Sequence, residues 1–230
     1  MNGFLLVNKP VGIPSFKVVS RLRFLLKEKR IGFAGTLDPF ASGLLILAVG
    51  REFTRQLDLF LNLPKTYLFT WVLGIETDTL DRDGAITQTK PYLGDLDKIP
   101  GVLEQFKGAL NQVPPAFSAK KINGVRAYHL ARQGLTPELA PSTIHIHHLE
   151  TVEITPGDYP IISLEMTCSK GTYVRSLVRD VSHALGSVGY VRDLCRTQIG
   201  PYVLENAVPF DELSPDTFLS YRFLEAPCPS

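Results

Sequence analysis

A single carboxylate, Asp38, lies within a segment whose other residues favour tight backbone geometry. The segment runs from Gly32 to Leu45 and contains three glycines, together with Pro39 directly after Asp38. Glycine permits positive φ and close backbone approach, and a proline biases the residue before it toward an extended conformation. A carboxylate on a rigid, partly apolar loop can act as a nucleophile or as a base. The same spacing fits an Asp that initiates a turn, so both interpretations stay open at this point.

Three further residues are candidates for a binding site, namely Tyr67, Tyr173 and Arg175. A tyrosine on a strand or at the start of a helix is usually half-buried, with its hydroxyl hydrogen-bonded. The residues alone therefore favour a packing role for both tyrosines. An arginine supplies the charge-assisted hydrogen bonds that a buried carboxylate such as Asp38 requires.

Two candidate metal sites do not meet the requirements of coordination chemistry. The acidic turn from Asp78 to Gly84 aligns in part with a calcium-binding loop, but Lys90 stands where a bidentate glutamate is required. His145 and His147 share one face of a predicted strand, without the Cys or carboxylate ligands that would complete a set. The sequence also lacks a phosphate-binding glycine loop and a dinucleotide fingerprint. We therefore expect neither a metal nor any other cofactor.

The composition is typical of a soluble globular protein. The 230 residues are 44% hydrophobic, and the longest apolar run, Gly43 to Gly50, is far shorter than the ~20 residues that cross a bilayer. The N-terminus lacks the features of a signal peptide. Three widely spaced cysteines, Cys168, Cys195 and Cys228, indicate a reducing compartment. We therefore expect a cytoplasmic protein with no membrane partner.

The distribution of charge is more informative than the net charge of +1. Residues 1–30 contain seven basic side chains and one acid, and residues 118–134 contain four, including Lys120 and Arg132, and no acid. Phosphate binding requires a local positive surface. Solvated surface residues are the alternative, and for residues 118–134 the absence of acids favours contact with RNA.

Hydrophobic periodicity predicts a chain of mixed strands and helices without regular alternation, which favours an α+β fold with a mainly antiparallel sheet. Ser15 is a candidate N-cap for the first helix. The Pro114-Pro115 pair begins a long loop to about residue 141. The predicted strands are residues 3–8, 44–49, 67–73, 143–154, 161–168 and 191–199, and the predicted helices are 15–30, 53–61, 96–109 and 172–185.

Six segments of the chain resemble motifs of the TruB family of tRNA pseudouridine synthases. They occur in the family's order between residues 3 and 205. One such match is weak evidence, whereas an ordered series at plausible spacing is strong. The segments are Asn8-Lys9-Pro10-Val11-Gly12, Gly35-Thr36-Leu37-Asp38-Pro39, Lys65-Thr66-Tyr67, Ser118 to Gly134, Ser169-Lys170-Gly171-Thr172-Tyr173-Val174-Arg175 and Leu194-Cys195-Arg196-Thr197.

The resemblance implies the α+β pseudouridine synthase fold, in which a central, mixed, mainly antiparallel sheet carries flanking helices and an active-site cleft. It implies one catalytic domain over residues 1–205, with an RNA-binding insertion at about 114–141, followed by a short acidic tail over residues 206–230. The family's small C-terminal RNA-binding domain, a PUA domain, is expected to be absent, because the ~25 residues after the last match are too few to fold as one.

The resemblance also implies an activity, the isomerisation of uridine 55 in the TΨC loop of tRNA to pseudouridine, with Asp38 as the essential residue. Arg175 would pair with Asp38, Tyr67 would stack under the flipped uracil, and Tyr173 and Leu194 would line the same pocket. The implied partner is the T stem-loop of tRNA, bound by a monomer with no obligatory protein partner. The remaining substrate contacts would be Lys9, Lys120 and Arg132.

One departure from the family keeps other functions open. Phe33 stands where bacterial members usually have a histidine that helps to shape the RNA loop, and its ring keeps the stacking but loses the hydrogen bond. A tRNA-folding chaperone with weak or no catalysis is therefore one alternative. A guide-dependent RNA pseudouridine synthase subunit is the other, although guide docking uses the C-terminal domain that we expect to be absent.

Overall fold

A computed structural model describes residues 1–122, 124–135 and 137–227 of the chain. Cys228 and the last two residues of the predicted tail lie outside the described residues. Contacts divide the chain into two compact units. The first unit contains residues 1–68 and the chain from residue 194 onward, and the second unit contains residues 69–193. No helix within the described ranges is both long enough and apolar enough to cross a membrane.

The described residues form strands β1 to β14 and helices α1 to α7, with four short 3-10 turns between them. The strands are β1 (Gly3–Lys9), β2 (Ile31–Ala34), β3 (Ser42–Val49), β4 (Lys65–Leu73), β5 (Ile75–Thr77), β6 (Ile86–Thr89), β7 (Gly108–Gln112), β8 (Lys121–Ile122), β9 (Val125–Arg126), β10 (Ser142–Thr155), β11 (Ile161–Cys168), β12 (Gly189–Ile199), β13 (Tyr202–Val203) and β14 (Val208–Pro209). The helices are α1 (Ser15–Leu26), α2 (Arg51–Thr54), α3 (Leu57–Leu61), α4 (Ile99–Leu103), α5 (Ala127–Arg132), α6 (Val174–Ala184) and α7 (Pro215–Tyr221).

The first unit is built on a mixed sheet with the strand order β14-β1-β3-β12-β4. β1 pairs antiparallel with β3 over its full length, whereas β3 pairs in parallel with β12. Leu45 and Leu47 of β3 pack in one cluster with α1 and α7, and Leu44 and Ile46 pack in a second cluster that includes Phe60 of α3. Burial on both faces explains why the sequence of β3 is uninterrupted and apolar.

The second unit has the strand order β12-β4-β11-β10-β7, in which β10 pairs antiparallel with both of its neighbours. Helix α4 contacts β10 and α6. Along β10, Ile144 and Ile146 are buried while His145 and His147 are exposed, so the strand has one core face and one solvent face. A mixed sheet with flanking helices is the α+β fold that the sequence predicts, and the prediction is confirmed.

The helix predicted from Ser15 to Arg30 is shorter than expected. It ends at Leu26, because Lys27 adopts the left-handed conformation, with a φ of 52°, that commonly ends helices. The chain then enters β2, which the sequence did not predict. Pro14 occupies the N-cap position, so the assignment of Ser15 as N-cap is wrong.

The helix predicted over residues 96–109 ends at Phe106, and 3-10 turns at Leu96–Lys98 and Glu104–Phe106 flank its α-helical part. Only Ile99–Leu103 is α-helical, and β7 begins at Gly108, whose φ of 87° is incompatible with a helix. The helix predicted over residues 53–61 is divided into α2 and α3. The loop predicted over residues 114–141 contains the β8–β9 hairpin and α5.

The segment after residue 205 is folded onto the first unit. β14 pairs in parallel with β1, and the Oγ of Ser214 caps α7 by accepting from the Thr217 amide. Val208, Leu213 and Phe218 are buried in the cluster that also contains β1 and α1 residues. Because burial of an apolar side chain of this size contributes about 1.5–3 kcal/mol, this segment supports the first unit and is more than an acidic tail.

Candidate active site

Asp38 lies in the loop between β2 and β3, and several hydrogen bonds hold the backbone of this loop. Gly35 has a φ of 75°, which glycine adopts without strain. The Ala41 amide donates to the Asp38 carbonyl at 3.1 Å, and the Gly12 amide donates to the Pro39 carbonyl at 2.8 Å. The Asp38 side chain is half-buried. A single carboxylate is therefore presented on an ordered loop that is only partly open to water.

Ser15, the first residue of α1, binds the residue that precedes Asp38. Its Oγ donates to the Leu37 carbonyl and accepts from the Leu37 amide, both at 2.9 Å. Both side chains are buried. The hydroxyl that the sequence suggested as a helix cap thus anchors the loop instead.

Arg196 on β12 supports the other side of the loop. Its Nε donates to the Leu44 carbonyl at 2.8 Å and its Nη2 to the Gly35 carbonyl at 3.0 Å. Only 1% of Arg196 is exposed. Its backbone passes so close to Gly43 that a Cβ there would overlap it, and the φ of Gly43 is 107°. Glycine at this position therefore allows β3 and β12 to pair directly behind the loop.

Lys9 at the end of β1 is completely buried. Its Nζ donates to the carbonyls of Pro10 and Ile13, both at 2.8 Å. Burial lowers the pKa of Lys9 from 10.5 to about 8, while the negative charge of Asp38 opposes this shift and the positive charge of Arg196 reinforces it. The structure places Lys9 within electrostatic range of Asp38, and the predicted contact of Lys9 with the substrate stays a prediction.

Two predicted pocket residues, Tyr67 on β4 and Leu194 on β12, belong to the same unit as Asp38. Tyr67 is half-buried and 8% of Leu194 is exposed. Lys65 lies two residues before Tyr67 and is itself buried, with its Nζ donating to the carbonyls of Leu61 and Leu63 at 2.6 Å each. Because these carbonyls lie at the C-terminal end of α3, Lys65 caps that helix and fixes the start of β4.

In the second unit, Arg175 near the start of α6 is held by the acidic turn and by the start of the insertion. Its Nη1 donates to the Thr79 carbonyl at 2.8 Å, and its Nη2 donates to the Phe117 carbonyl at 3.0 Å. The same Nη1 lies 3.8 Å from Oδ2 of Asp81, and both side chains are buried. Leu80 within this turn has a φ of 60°, which is rare for a residue with a branched side chain. The turn thus has a structural role that involves Arg175.

Tyr173 is fixed through its backbone. Its amide donates to Oε1 of Gln112 at 2.8 Å, and its carbonyl accepts from Nε2 of the same side chain at 3.1 Å. Gln112 ends β7 and is buried, while the Tyr173 side chain is half-buried. This bidentate contact places Tyr173 at the N-cap position of α6, two residues before Arg175.

The insertion carries its basic side chains on the outside. Lys120 donates through Nζ to Oγ of Ser142 at 3.0 Å, and the guanidinium of Arg132 lies 5.6 Å from the centre of the Tyr128 ring. Such a distance is consistent with a cation–π contact. The four exposed basic residues are Lys120, Lys121, Arg126 and Arg132.

The predicted site residues are divided between the two units. Within the first unit, the structure brings Lys9 near Asp38. The pairing of Asp38 with Arg175, and the common pocket of Tyr67 and Tyr173, join residues of different units and stay predictions. The first unit holds Lys9, Asp38, Tyr67 and Leu194, and the second holds Lys120, Arg132, Tyr173 and Arg175.

Sequence reasoning missed three residues that support the site, namely Ser15, Arg196 and Asp81. Arg196 lies within the Leu194 to Thr197 motif and Asp81 within the acidic turn. The motif and the turn marked both positions as important, but neither predicted which groups these side chains contact. Ser15 carried none, because its partner is 22 residues away in the chain.

Phe33, the residue that departs from the family pattern, lies on β2 opposite Leu47 of β3. It is half-buried and packs against the cluster formed by β1, β3 and α1. The ring therefore contributes to the core of the first unit.

Comparison with protein families gives a match over the centre of the chain. Residues 23–174 match the family model described as TruB family pseudouridylate synthase (N terminal domain). The chain is 40% identical over 224 residues to tRNA pseudouridine synthase B of Protochlamydia amoebophila, covering 97% of this chain and 84% of that protein. It is 44% identical over 214 residues to the protein of the same name from Aquifex aeolicus, covering 92% and 73% of the two chains.

Among solved structures, the chain resembles one in a Cbf5–Nop10–Gar1 complex, with a TM-score of 0.71 and 26% identity. The match covers 94% of this chain and 55% of the solved one. The chain therefore spans little more than half the length of that relative, and the likeness concerns the shared fold.

Proposed function

The chain belongs to the TruB family of pseudouridylate synthases, and from this premise we propose that it converts uridine 55 in the TΨC loop of tRNA to pseudouridine. The observation that carries the proposal is the loop of Asp38. The loop that carries this one half-buried carboxylate is held by Ser15, which binds the Leu37 backbone, and by Arg196, which binds the Gly35 carbonyl. Such a preorganised group suits a reaction in which a single carboxylate acts at a flipped nucleotide.

The proposed reaction is an isomerisation. The glycosidic bond between N1 and C1′ breaks, the uracil turns, and C5 forms a bond to C1′. The hydrogen on C5 leaves as a proton and N1 takes up a proton, so the product is an isomer of the substrate. Asp38 either attacks C1′ to form a covalent sugar adduct or removes the 2′ proton to give a glycal. Both routes require an ionised Asp38. Neither route oxidises or reduces the substrate, so the reaction needs no redox cofactor.

The other predicted residues have proposed roles in the same step. We assign Arg175 to the charge that keeps Asp38 ionised and oriented, because opposite charges favour each other's ionised form. Tyr67 would stack on the uracil and is a candidate base for the C5 proton. Tyr173 and Leu194 would line the pocket.

We further propose that residues 1–205 form the catalytic domain and that the insertion at about 114–141 grips the T stem-loop. The exposed basic side chains of the insertion support this assignment, since phosphate contacts depend on local positive charge. In this proposal the protein acts in the cytoplasm as a monomer and requires neither a guide RNA nor a protein partner.

Release of tritium from a T stem-loop RNA labelled at C5 of uridine tests the proposal. We expect release without guide, partner or added cofactor, and no release with Asp38→Asn. The matched control is Asp58→Asn, which replaces an exposed carboxylate on α3 and should leave the activity unchanged. Tight RNA binding without any tritium release would favour the tRNA-folding chaperone, and release only with a guide RNA would favour the guide-dependent subunit.

A further inference from the structure

Two histidines stack on the solvent face of β10 in the second unit. The ring centres of His145 and His147 are 4.5 Å apart, with an angle of 29° between the ring planes. Both side chains are exposed, whereas Ile144 and Ile146 on the other face are buried. The pair therefore forms a small aromatic surface that neither the fold nor the proposed catalytic step uses.

A β-bulge lies at the stacked pair. The register between β10 and β11 shifts between Ile146 and His148, so His147 is an extra residue on β10. Bulges redirect side chains and occur preferentially next to functional sites. Here the extra residue is His147 itself, which strand alternation already places on the same face as His145.

Two acidic residues of these strands, Glu150 and Glu165, lie against a different histidine. Nε2 of His148 is 3.4 Å from Oε2 of Glu150 and 3.7 Å from Oε1 of Glu165. His148 is half-buried, unlike the stacked pair. The same strand thus contains one histidine with acidic neighbours and two exposed histidines that stack on each other.

The elements around the stacked pair bring lysines and one acid that is already paired. The 3-10 turn Glu104–Phe106 contacts β10, and Glu104 accepts from Nζ of Lys107 at 2.6 Å. β7, the neighbour of β10 on one side, has no titratable residue and places Ala109 opposite His145. After β11, Ser169 exchanges two hydrogen bonds with the backbone of His145, at 2.8 and 2.9 Å, and the exposed Lys170 follows it. At the start of β10, Lys120 of the insertion binds Ser142. Ser142 lies about 10 Å along the strand from His145.

We propose that this face, His145 and His147 with Lys120, is an RNA-binding surface for the substrate tRNA. An unpaired nucleotide stacks on the imidazole pair, and the adjoining phosphates lie against the histidine and lysine charges. The inference rests on the proposed function, because it takes the same RNA as ligand. It adds a stacking contact for a second nucleotide, besides the uracil that the proposed function assigns to Tyr67.

The physical argument combines stacking with proton uptake. Nucleobases stack on aromatic side chains, including histidine, whatever their sequence. Two imidazolium rings at this separation repel each other, and a phosphate beside them offsets the repulsion. RNA binding therefore favours protonation of the pair, and the affinity must rise as the pH falls through the range in which histidine gains a proton.

The test is the affinity of the full chain for a T stem-loop RNA, measured by fluorescence anisotropy at about pH 8 and about pH 6 and over a range of salt. The key variant is the double substitution His145→Gln, His147→Gln. His148→Gln is the matched control on the same strand, and His147→Phe keeps a stacking ring without a titratable group. Thermal unfolding of each variant confirms that it is folded.

For the wild type we expect about a three- to tenfold gain in affinity at the lower pH. The double variant should lose most of this gain, and the slope of log K against log salt should fall by about 0.7–0.9 per lost phosphate contact. His147→Phe should keep the affinity at about pH 8 but lose much of the gain, and His148→Gln should behave like the wild type.

An unchanged pH dependence and salt slope in the folded double variant would overturn the inference while leaving the proposed function intact, provided that the wild type releases tritium. A wild-type protein that neither binds nor modifies the T stem-loop would overturn both. The gain in RNA affinity at the lower pH could instead be lost in His148→Gln and kept in the double variant. That result would assign the pH dependence to His148 and its acidic neighbours, and it would also contradict the inference.

Discussion

The hydroxyl of Ser15 exchanges two hydrogen bonds with the backbone of Leu37, each 2.9 Å long, and Leu37 directly precedes Asp38. A helix start is thereby tied to the loop that presents the candidate catalytic carboxylate. Because both residues are buried, removal of the hydroxyl leaves an amide and a carbonyl without their partner.

We expect Ser15→Ala to lower the free energy of unfolding by about 1–3 kcal/mol, which is the usual cost of leaving a buried polar group unsatisfied. It should also lower kcat more than it raises KM, since Asp38 is displaced while the RNA surfaces remain. Urea denaturation and tritium-release kinetics measure the two effects. Ser15→Thr, which keeps the hydroxyl, and Ser20→Ala, on the exposed side of the same helix, are the controls. A folded Ser15→Ala protein with normal kcat would contradict this role.

The sequence predicted the parts of the fold that depend on local patterns. The predictions over residues 44–49, 143–154, 161–168 and 172–185 correspond to β3, β10, β11 and α6, each of eight or more residues. β2 and β7 were missed because they have only four and five residues, too few to show a period.

The support of the candidate site could not be predicted, because it depends on contacts between distant parts of the chain. Arg196 binds the carbonyl of Leu44, 152 residues away, and Arg175 binds the carbonyl of Thr79, 96 residues away. Motif resemblance selected Arg175 and Leu194. Their partners could not be selected in this way, because a backbone carbonyl is the same group in every residue. No pattern of side chains therefore reveals where such a donor will bind.

Arg175 and Asp81 should be coupled energetically. Loss of either partner of a buried ion pair typically costs about 3–5 kcal/mol, so Arg175→Met and Asp81→Asn should each destabilise the protein and lower kcat. The double variant should lose less than the sum of the two single variants. A double-mutant cycle from urea denaturation measures the coupling, with the exposed Asp83→Asn as control. Strictly additive effects would show that the contact at 3.8 Å carries no energy.

The insertion should account for part of the salt dependence of RNA binding. Replacement of Lys120, Lys121, Arg126 and Arg132 by alanine should weaken binding of the T stem-loop and reduce the slope of log K against log salt. The reduction should reach up to about 0.9 for each duplex phosphate contact that is lost. Substitution of Lys17, Arg21, Lys27 and Lys29, four exposed basic residues of the N-terminal region, provides a charge-matched comparison. An unchanged slope in the first variant and a reduced slope in the second would place the RNA on the N-terminal region instead.

Lys9 should give the protein a pH-dependent stability. Its pKa falls from 10.5 to about 8 in the folded state, mainly because its ammonium group is buried. Between these two pH values the unfolded chain binds more protons than the folded one, so the free energy of unfolding rises with pH across this window. Below about pH 8 both states are protonated, and the full cost of the buried charge remains, on the order of 3 kcal/mol.

The difference between wild type and Lys9→Met isolates this contribution, because the other titrating groups cancel. We expect the wild type to gain stability relative to Lys9→Met as the pH rises from about 8 to about 10, in urea denaturation at several pH values. The hydrogen bonds to Pro10 and Ile13 are lost at every pH, so they offset the whole curve without changing its slope. Lys29→Met, at an exposed position, should run parallel to the wild type. If the curves of the wild type and Lys9→Met are parallel as well, the proton on Lys9 is bound equally well in both states, and burial does not lower its pKa.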